Sequence, residues 1–125
     1  MPKKIRFSII GTSEIAPKHI RGIQNNPKAQ VVYIYSRDIK RSEEFARRYH
    51  LSPAKTYEEI LSDRTIDAVD IVTEPARHTE LALEAVKNKK HVLIEKPLDI
   101  DIESAKKLVT LASDCQTVIS VISQK

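Results

Sequence analysis

Four short groups of residues carry the chemistry open to this sequence. The first is Gly11-Thr12-Ser13-Glu14-Ile15-Ala16, directly after the apolar run Ile5 to Ile10. Gly11 permits a tight turn, and Ala16 lets a following helix pack closely. A turn that feeds a helix N-terminus offers a partial positive charge to an anion such as phosphate. Ser13 limits close backbone approach through its Cβ, yet its hydroxyl could donate a hydrogen bond. Glu14 competes for the same positive end; the bland reading is that it stabilises the helix and no phosphate binds. The second group is Tyr35-Ser36-Arg37-Asp38, where a hydroxyl and a guanidinium suit a phosphorylated ribose. Here the bland reading is a surface arginine beside a turn. The third is Thr73-Glu74-Pro75-Ala76-Arg77-His78, and the fourth is Glu95-Lys96-Pro97. A partly desolvated lysine has a lowered pKa and can exchange protons; a surface ion pair before a helix-breaking proline would look the same.

These groups matter because of where the elements put them. Short β-branched runs alternate with helical stretches. Ile5 to Ile10, Val31 to Tyr35, Ala68 to Thr73, His91 to Ile94 and Thr117 to Ile122 read as strands, with a short extended piece near Ala54 to Thr56. Helices are expected over Ile15 to Gln24, Ile39 to Tyr49, Tyr57 to Leu61, His78 to Lys87 and Ile102 to Ala112. Thr56 is the expected N-cap of the third helix, with Glu59 as its capping-box partner, and Asp101 the cap of the fifth. Near-continuous apolar strands alternating with helices predict an α/β fold with a parallel sheet covered on both faces. Six strands cannot close an eight-stranded barrel, so the expectation is an open, doubly wound Rossmann sheet of order 3-2-1-4-5-6 in a single domain. Ligands bind such sheets at the carboxyl ends of the strands, and all four groups directly follow strands. The dinucleotide fingerprint places glycine at its first, third and sixth positions, with alanine allowed at the last; Gly11, Ser13 and Ala16 stand there. An NAD site would place an acid where Ser36 stands, so Ser36-Arg37 favours NADP, with NAD as the alternative.

Composition removes other classes. Hydrophobic residues make up 41% of the 125 positions, which is globular rather than disordered composition. The one cysteine, Cys115, excludes an internal disulfide framework, and no metal site is expected, since no histidine pair has ligand spacing. No apolar run approaches the ~20 residues of a membrane span, and no signal peptide is visible, so a cytoplasmic setting is the default. The net charge of +4 is dispersed and lacks interleaved aromatics, so nucleic acid is not an expected partner. His50 and His91 read as surface or strand-edge residues, and Cys115 as a small packed side chain.

Taken together, the four groups resemble the N-terminal dinucleotide-binding domain of the glucose–fructose oxidoreductase, inositol dehydrogenase and MocA family, over essentially the whole of residues 1–125. Glu95-Lys96-Pro97 is the most specific piece, followed by Gly11 to Ala16 with His19, and Thr73 with His78. The resemblance implies that Lys96 is catalytic and contacts the substrate hydroxyl near the nicotinamide. Glu95 would touch the nicotinamide ribose, with Lys96 beside the cofactor. Gly11, Thr12, Ser13, Glu14 and Ile15 would line the pyrophosphate and nicotinamide side. Ser36 and Arg37 would meet the 2′-phosphate, and Thr73, Pro75 and His78 would line the crevice. It further implies a Lys96–Pro97 bond that is often cis, hydride transfer to or from a sugar-like or polyol substrate, and a second, C-terminal domain that this chain lacks. Pro75 departs from the common asparagine at its position, which weakens one cofactor contact. Without the second domain the chain is expected to be inactive on its own, and its bare crevice face makes a homo-oligomer an expected state. A stand-alone dinucleotide-binding sensor or non-catalytic module is the alternative.

Overall fold

Parallel neighbours cannot be joined by tight turns, so each pair of strands needs a crossover, usually a helix. The chain supplies one between every pair. The computed structural model describes residues 3–73, 78–95 and 102–122. In chain order the elements are β1 (Ile5–Ile10), α1 (Ala16–Gln24), β2 (Ala29–Tyr35), α2 (Ile39–Tyr49), β3 (Ser52–Pro53), α3 (Tyr57–Leu61), β4 (Ala68–Ile71), α4 (His78–Lys87), β5 (His91–Glu95), α5 (Ile102–Asp114) and β6 (Ile119–Ile122). The strands form one parallel sheet of order β3-β2-β1-β4-β5-β6, as expected from the sequence.

Successive strand residues face opposite sides, and the two cores divide accordingly. Ile9 packs with Ala16 and Ile20 of α1 and with Phe45, Ala46 and Tyr49 of α2. Ile10 joins the other core, with Val69, Ile71, Val92 and Ile94 under α3, α4 and α5. Burial of each such isoleucine contributes roughly 1.5–3 kcal/mol.

Local signals set most boundaries. Asp38 caps α2, its carboxylate accepting from the Lys40 N–H, and His50 closes that helix at a φ of 61°. Thr56 caps α3 by accepting from the Glu59 N–H at 3.2 Å. Glu59 reaches back, although it accepts from the N–H of Lys55 rather than that of the cap itself. The expected cap at Asp101 lies outside the described residues. His91 is exposed, and its Nδ1 accepts from the Val118 N–H at the β5–β6 margin. Cys115 is partly buried against the core.

Several boundaries shift by one or two residues from the sequence expectation, and three departures matter more. The third strand is Ser52–Pro53, not Ala54 to Thr56. Proline lacks the ladder donor and is tolerated there because this is the edge strand. β4 stops at Ile71, since Val72 and Thr73 turn into the contacts described below. β2 carries an irregularity: Phe7 pairs with Val31 but Ser8 with Tyr33, leaving Val32 out of register. The extra residue changes the parity of β2. Val31 and Ile34, three apart, therefore share one core, and Tyr33 and Tyr35 pack against the other.

Candidate functional site: a cleft at the carboxyl ends of the strands

β1 lies between β2 and β4, so the connections after β1 and β2 leave on one side of it and that after β4 on the other. This is the switch point at which open α/β sheets bind ligands. A cleft of about 300 Å³ sits there, lined by Gly11, Thr12 and Ser13 after β1, Tyr35 at the end of β2 with Ser36 to Asp38 after it, and Thr73 after β4.

Gly11 is required by the geometry. Its φ is 118°, and a Cβ built on it would lie 2.9 Å from both the Thr73 Cγ2 and the Thr73 backbone nitrogen. A side chain there would meet strain and collision together. The Gly11 N–H donates to the Tyr35 carbonyl at 2.7 Å. The Ser13 hydroxyl donates to the Val72 carbonyl at 2.6 Å. The sequence reading offered this hydroxyl to a phosphate; the structure gives it to the protein, where it fastens the loop to the end of β4.

Glu14 and Ile15 part from the group. α1 begins at Ala16 with Pro17 in its first turn and no acidic residue there. Glu14 is exposed, and with Ile15, Pro17, Lys18 and Arg21 it lines a separate depression.

Across the cleft, Ser36 donates to the Asp38 carbonyl at 2.8 Å and sits 2.9 Å from the Ser42 hydroxyl. Asp38 lines the cleft, but one of its carboxylate oxygens accepts from the Lys40 N–H at 3.1 Å. Arg37 lines the same wall and is exposed. The turn is therefore braced from within, leaving a guanidinium at its surface.

His78 is buried, with 1% of its surface exposed. Its Nε2 lies 2.6 Å from the Thr73 carbonyl, and a carbonyl only accepts, so Nε2 carries the proton. The resemblance put His78 in the crevice wall. In the structure its ring braces Thr73, which lines the cleft. Glu95 ends β5 and pairs in register with Ile122. Pro75, Lys96 and the Lys96–Pro97 bond lie outside the described residues.

Two partnerships escaped the sequence reading. His19 of α1 lies 2.7 Å from Asp70 of β4, a hydrogen-bonded pair buried between helix and sheet. A carboxylate inside Ala-Val-Asp-Ile was the available signal, because buried charges are paired. Arg41 of α2 donates from Nε to the Thr12 hydroxyl at 3.1 Å and from Nη2 to the Thr12 carbonyl at 2.8 Å. Its guanidinium also lies 5.9 Å from the centre of the Phe45 ring.

The shifted titrations belong to the framework. Burial lowers the pKa of Lys90, whose ammonium donates to the Asp63 and Ile66 carbonyls. Hydrogen bonds from Thr65 lower that of Asp63, and the bond to Asp63 raises that of Tyr33. Burial raises that of Tyr57, which donates to the Leu81 carbonyl. Asp63 and Asp67 lie in the loop before β4 and Lys90 in the loop before β5, so these three sit at the amino end of the sheet, opposite the cleft, whereas Tyr57 opens α3 and stacks on Tyr35 at 6.0 Å. Among the described residues no cluster of metal ligands occurs, and no helix is long and apolar enough to cross a membrane.

Known proteins share this fold. The model of the Gfo/Idh/MocA oxidoreductase family, with its NAD-binding Rossmann fold, matches residues 5–123. The chain is 32% identical over 115 residues to 1,5-anhydro-D-fructose reductase of Ensifer adhaerens, covering 91% of this chain and 34% of the relative. It is 31% identical to the NADP(+)-type scyllo-inositol 2-dehydrogenase of Bacillus subtilis, over 86% of this chain and 33% of the relative. A 3-ketoreductase of Actinomadura kijaniata, solved with NADP and TDP-benzene, superposes with a TM-score of 0.90 at 29% identity, over 95% of this chain and 37% of that one. The chain thus spans about a third of the length of these relatives. It belongs to the Gfo/Idh/MocA oxidoreductase family and represents that family's NAD-binding Rossmann fold.

Proposed function

We propose that this chain is the cofactor-binding part of an NADP-dependent oxidoreductase acting on a hydroxyl of a sugar, inositol or related polyol. The observation that carries the reading is the cleft that joins the Gly11 turn to Arg37 at the switch point. Gly11 fits the role because the space a Cβ would fill is already taken by Thr73, so the loop can take only this close course. The Gly11 to Ser13 loop and the N-terminus of α1 would hold the pyrophosphate. Arg37 would hold the 2′-phosphate, with one oxygen of Asp38 engaged in capping α2. Ser36 contributes by bracing the turn that presents Arg37. When bound, the nicotinamide supplies the redox chemistry, hydride exchange with a carbon that bears a hydroxyl.

Lys96, one residue beyond β5, would hold or accept the proton of that hydroxyl. Glu95 would contact the nicotinamide ribose, and Thr73 and Pro75 would line the crevice. Sugar-like substrates are supported by two relatives, a reductase of anhydrofructose and a dehydrogenase of scyllo-inositol. Because the chain spans a third of such proteins, the remaining substrate-side groups would come from the rest of their length, and this part alone would turn nothing over. The test assays the full-length protein with NADP+ against a panel of sugars and inositols. Lys96→Ala should lower kcat by about 10²-fold or more without weakening NADPH binding. Unchanged kcat in that variant would overturn the role of Lys96.

A further inference from the structure

We infer that Arg41 is a positioning residue for the phosphate loop: it sets the plane of the Thr12–Ser13 peptide and so aims the Ser13 N–H. This rests on the dinucleotide reading of the cleft. Gly11 is tied to β2 through the Tyr35 carbonyl, and Ser13 is tied to β4 through the Val72 carbonyl. Thr12 lies between them and is held from α2, by both of its oxygens, through one guanidinium. The 2.8 Å bond goes to the main-chain carbonyl. A peptide unit is planar and trans, so its carbonyl and its N–H point in opposite directions. Holding the Thr12 carbonyl toward α2 therefore fixes the direction of the Ser13 N–H. With the Ser13 hydroxyl committed to Val72, that N–H is the donor this residue has left for a phosphate.

Two features make arginine the fitting residue. Its Nε and Nη2 form a rigid fork that meets both Thr12 oxygens at once, which a lysine ammonium cannot reproduce. Phe45 lies under the guanidinium and restricts its swing. The clamp also joins the two walls of the cleft, since α2 grows directly out of the Ser36 to Asp38 turn.

A positioning role predicts losses that do not depend on the 2′-phosphate. In the purified chain, Arg41→Ala and Arg41→Lys should each weaken NADH and NADPH alike, by about three- to tenfold. Thr12→Ala should lose less, because the bond to its carbonyl survives. Amide exchange at Ser13 should speed up in Arg41→Ala without cofactor, while the unfolding midpoint stays put, because Arg41 is exposed. Unchanged NADH affinity in Arg41→Ala would overturn the inference, whether or not NADPH binding falls. A wild-type chain that bound neither dinucleotide would overturn the cofactor reading instead. Ser13 exchange would then still decide the positioning claim, and an unaltered rate would end it.

Discussion

The Nδ1 atom of His19 lies 2.7 Å from a carboxylate oxygen of Asp70, with both side chains buried. The pair pins the middle of α1 to β4, the strand whose end supplies Val72 and Thr73 to the site. Removing one partner of a buried pair costs about 3–5 kcal/mol, whereas replacing both by apolar groups is often near neutral. His19→Leu should therefore lower the free energy of unfolding by about that amount. The double variant His19→Leu with Asp70→Val should recover much of the loss. Urea denaturation of the two singles and the double measures the coupling. Strictly additive costs would show that the pair does not act as a unit.

Gly11→Ala tests the loop by a different route. The positive φ and the 2.9 Å approach of Thr73 penalise any side chain at this position. A loss of about 1–3 kcal/mol is expected, together with loss of dinucleotide binding as the loop moves off Thr73. Thermal unfolding and a cofactor titration check the two parts separately.

Ser13→Ala removes the hydroxyl that bonds the Val72 carbonyl at 2.6 Å. The expected cost is about 1 kcal/mol, the usual net contribution of such a bond. Cofactor affinity should fall with it, since the tie to β4 is gone. Tighter NADPH binding by Ser13→Ala would mean that the hydroxyl hinders the ligand rather than holding the loop.

Asp63 should contribute to the acid limb of stability. Its carboxyl is held below the ordinary value of 3.8 by hydrogen bonds from Thr65 and from Tyr33. A depressed folded pKa means that the unfolded chain takes up the proton first. The stabilisation is therefore complete above 3.8 and is lost as pH falls through the folded value. Asp63→Asn should flatten the dependence of the urea midpoint on pH below about pH 4. An unchanged acid slope would assign acid sensitivity to other carboxylates.

Most of the fold was legible because apolar runs and helical spacing repeat regularly along the chain. Strand order followed from the alternation of strand and helix, and Thr56 and Glu59 marked a helix start by their types alone. The β2 irregularity was not legible: nothing in Val31-Val32-Tyr33 marks a residue as out of register, yet it decides which way Tyr35 faces. At the site, Gly11, Ser36 and Arg37 were found because they directly follow strands. The partners of Ser13 and His78, and the nearer of the two partners of Arg41, are main-chain carbonyls, brought close only by folding. A carbonyl leaves no signature in the identity of its residue, so those roles show only in the folded structure.

The central claim is that the cleft takes a dinucleotide with Arg37 on its 2′-phosphate. The most direct measurement is the affinity of the chain for NADPH and for NADH, before and after Arg37→Asp. Tighter binding of NADPH by the wild type is expected. The substitution should weaken NADPH by about tenfold or more while leaving NADH nearly unchanged, because a charge-assisted bond to phosphate is replaced by repulsion. Equal losses for both dinucleotides, or none for either, would contradict the assignment of Arg37 to the 2′-phosphate.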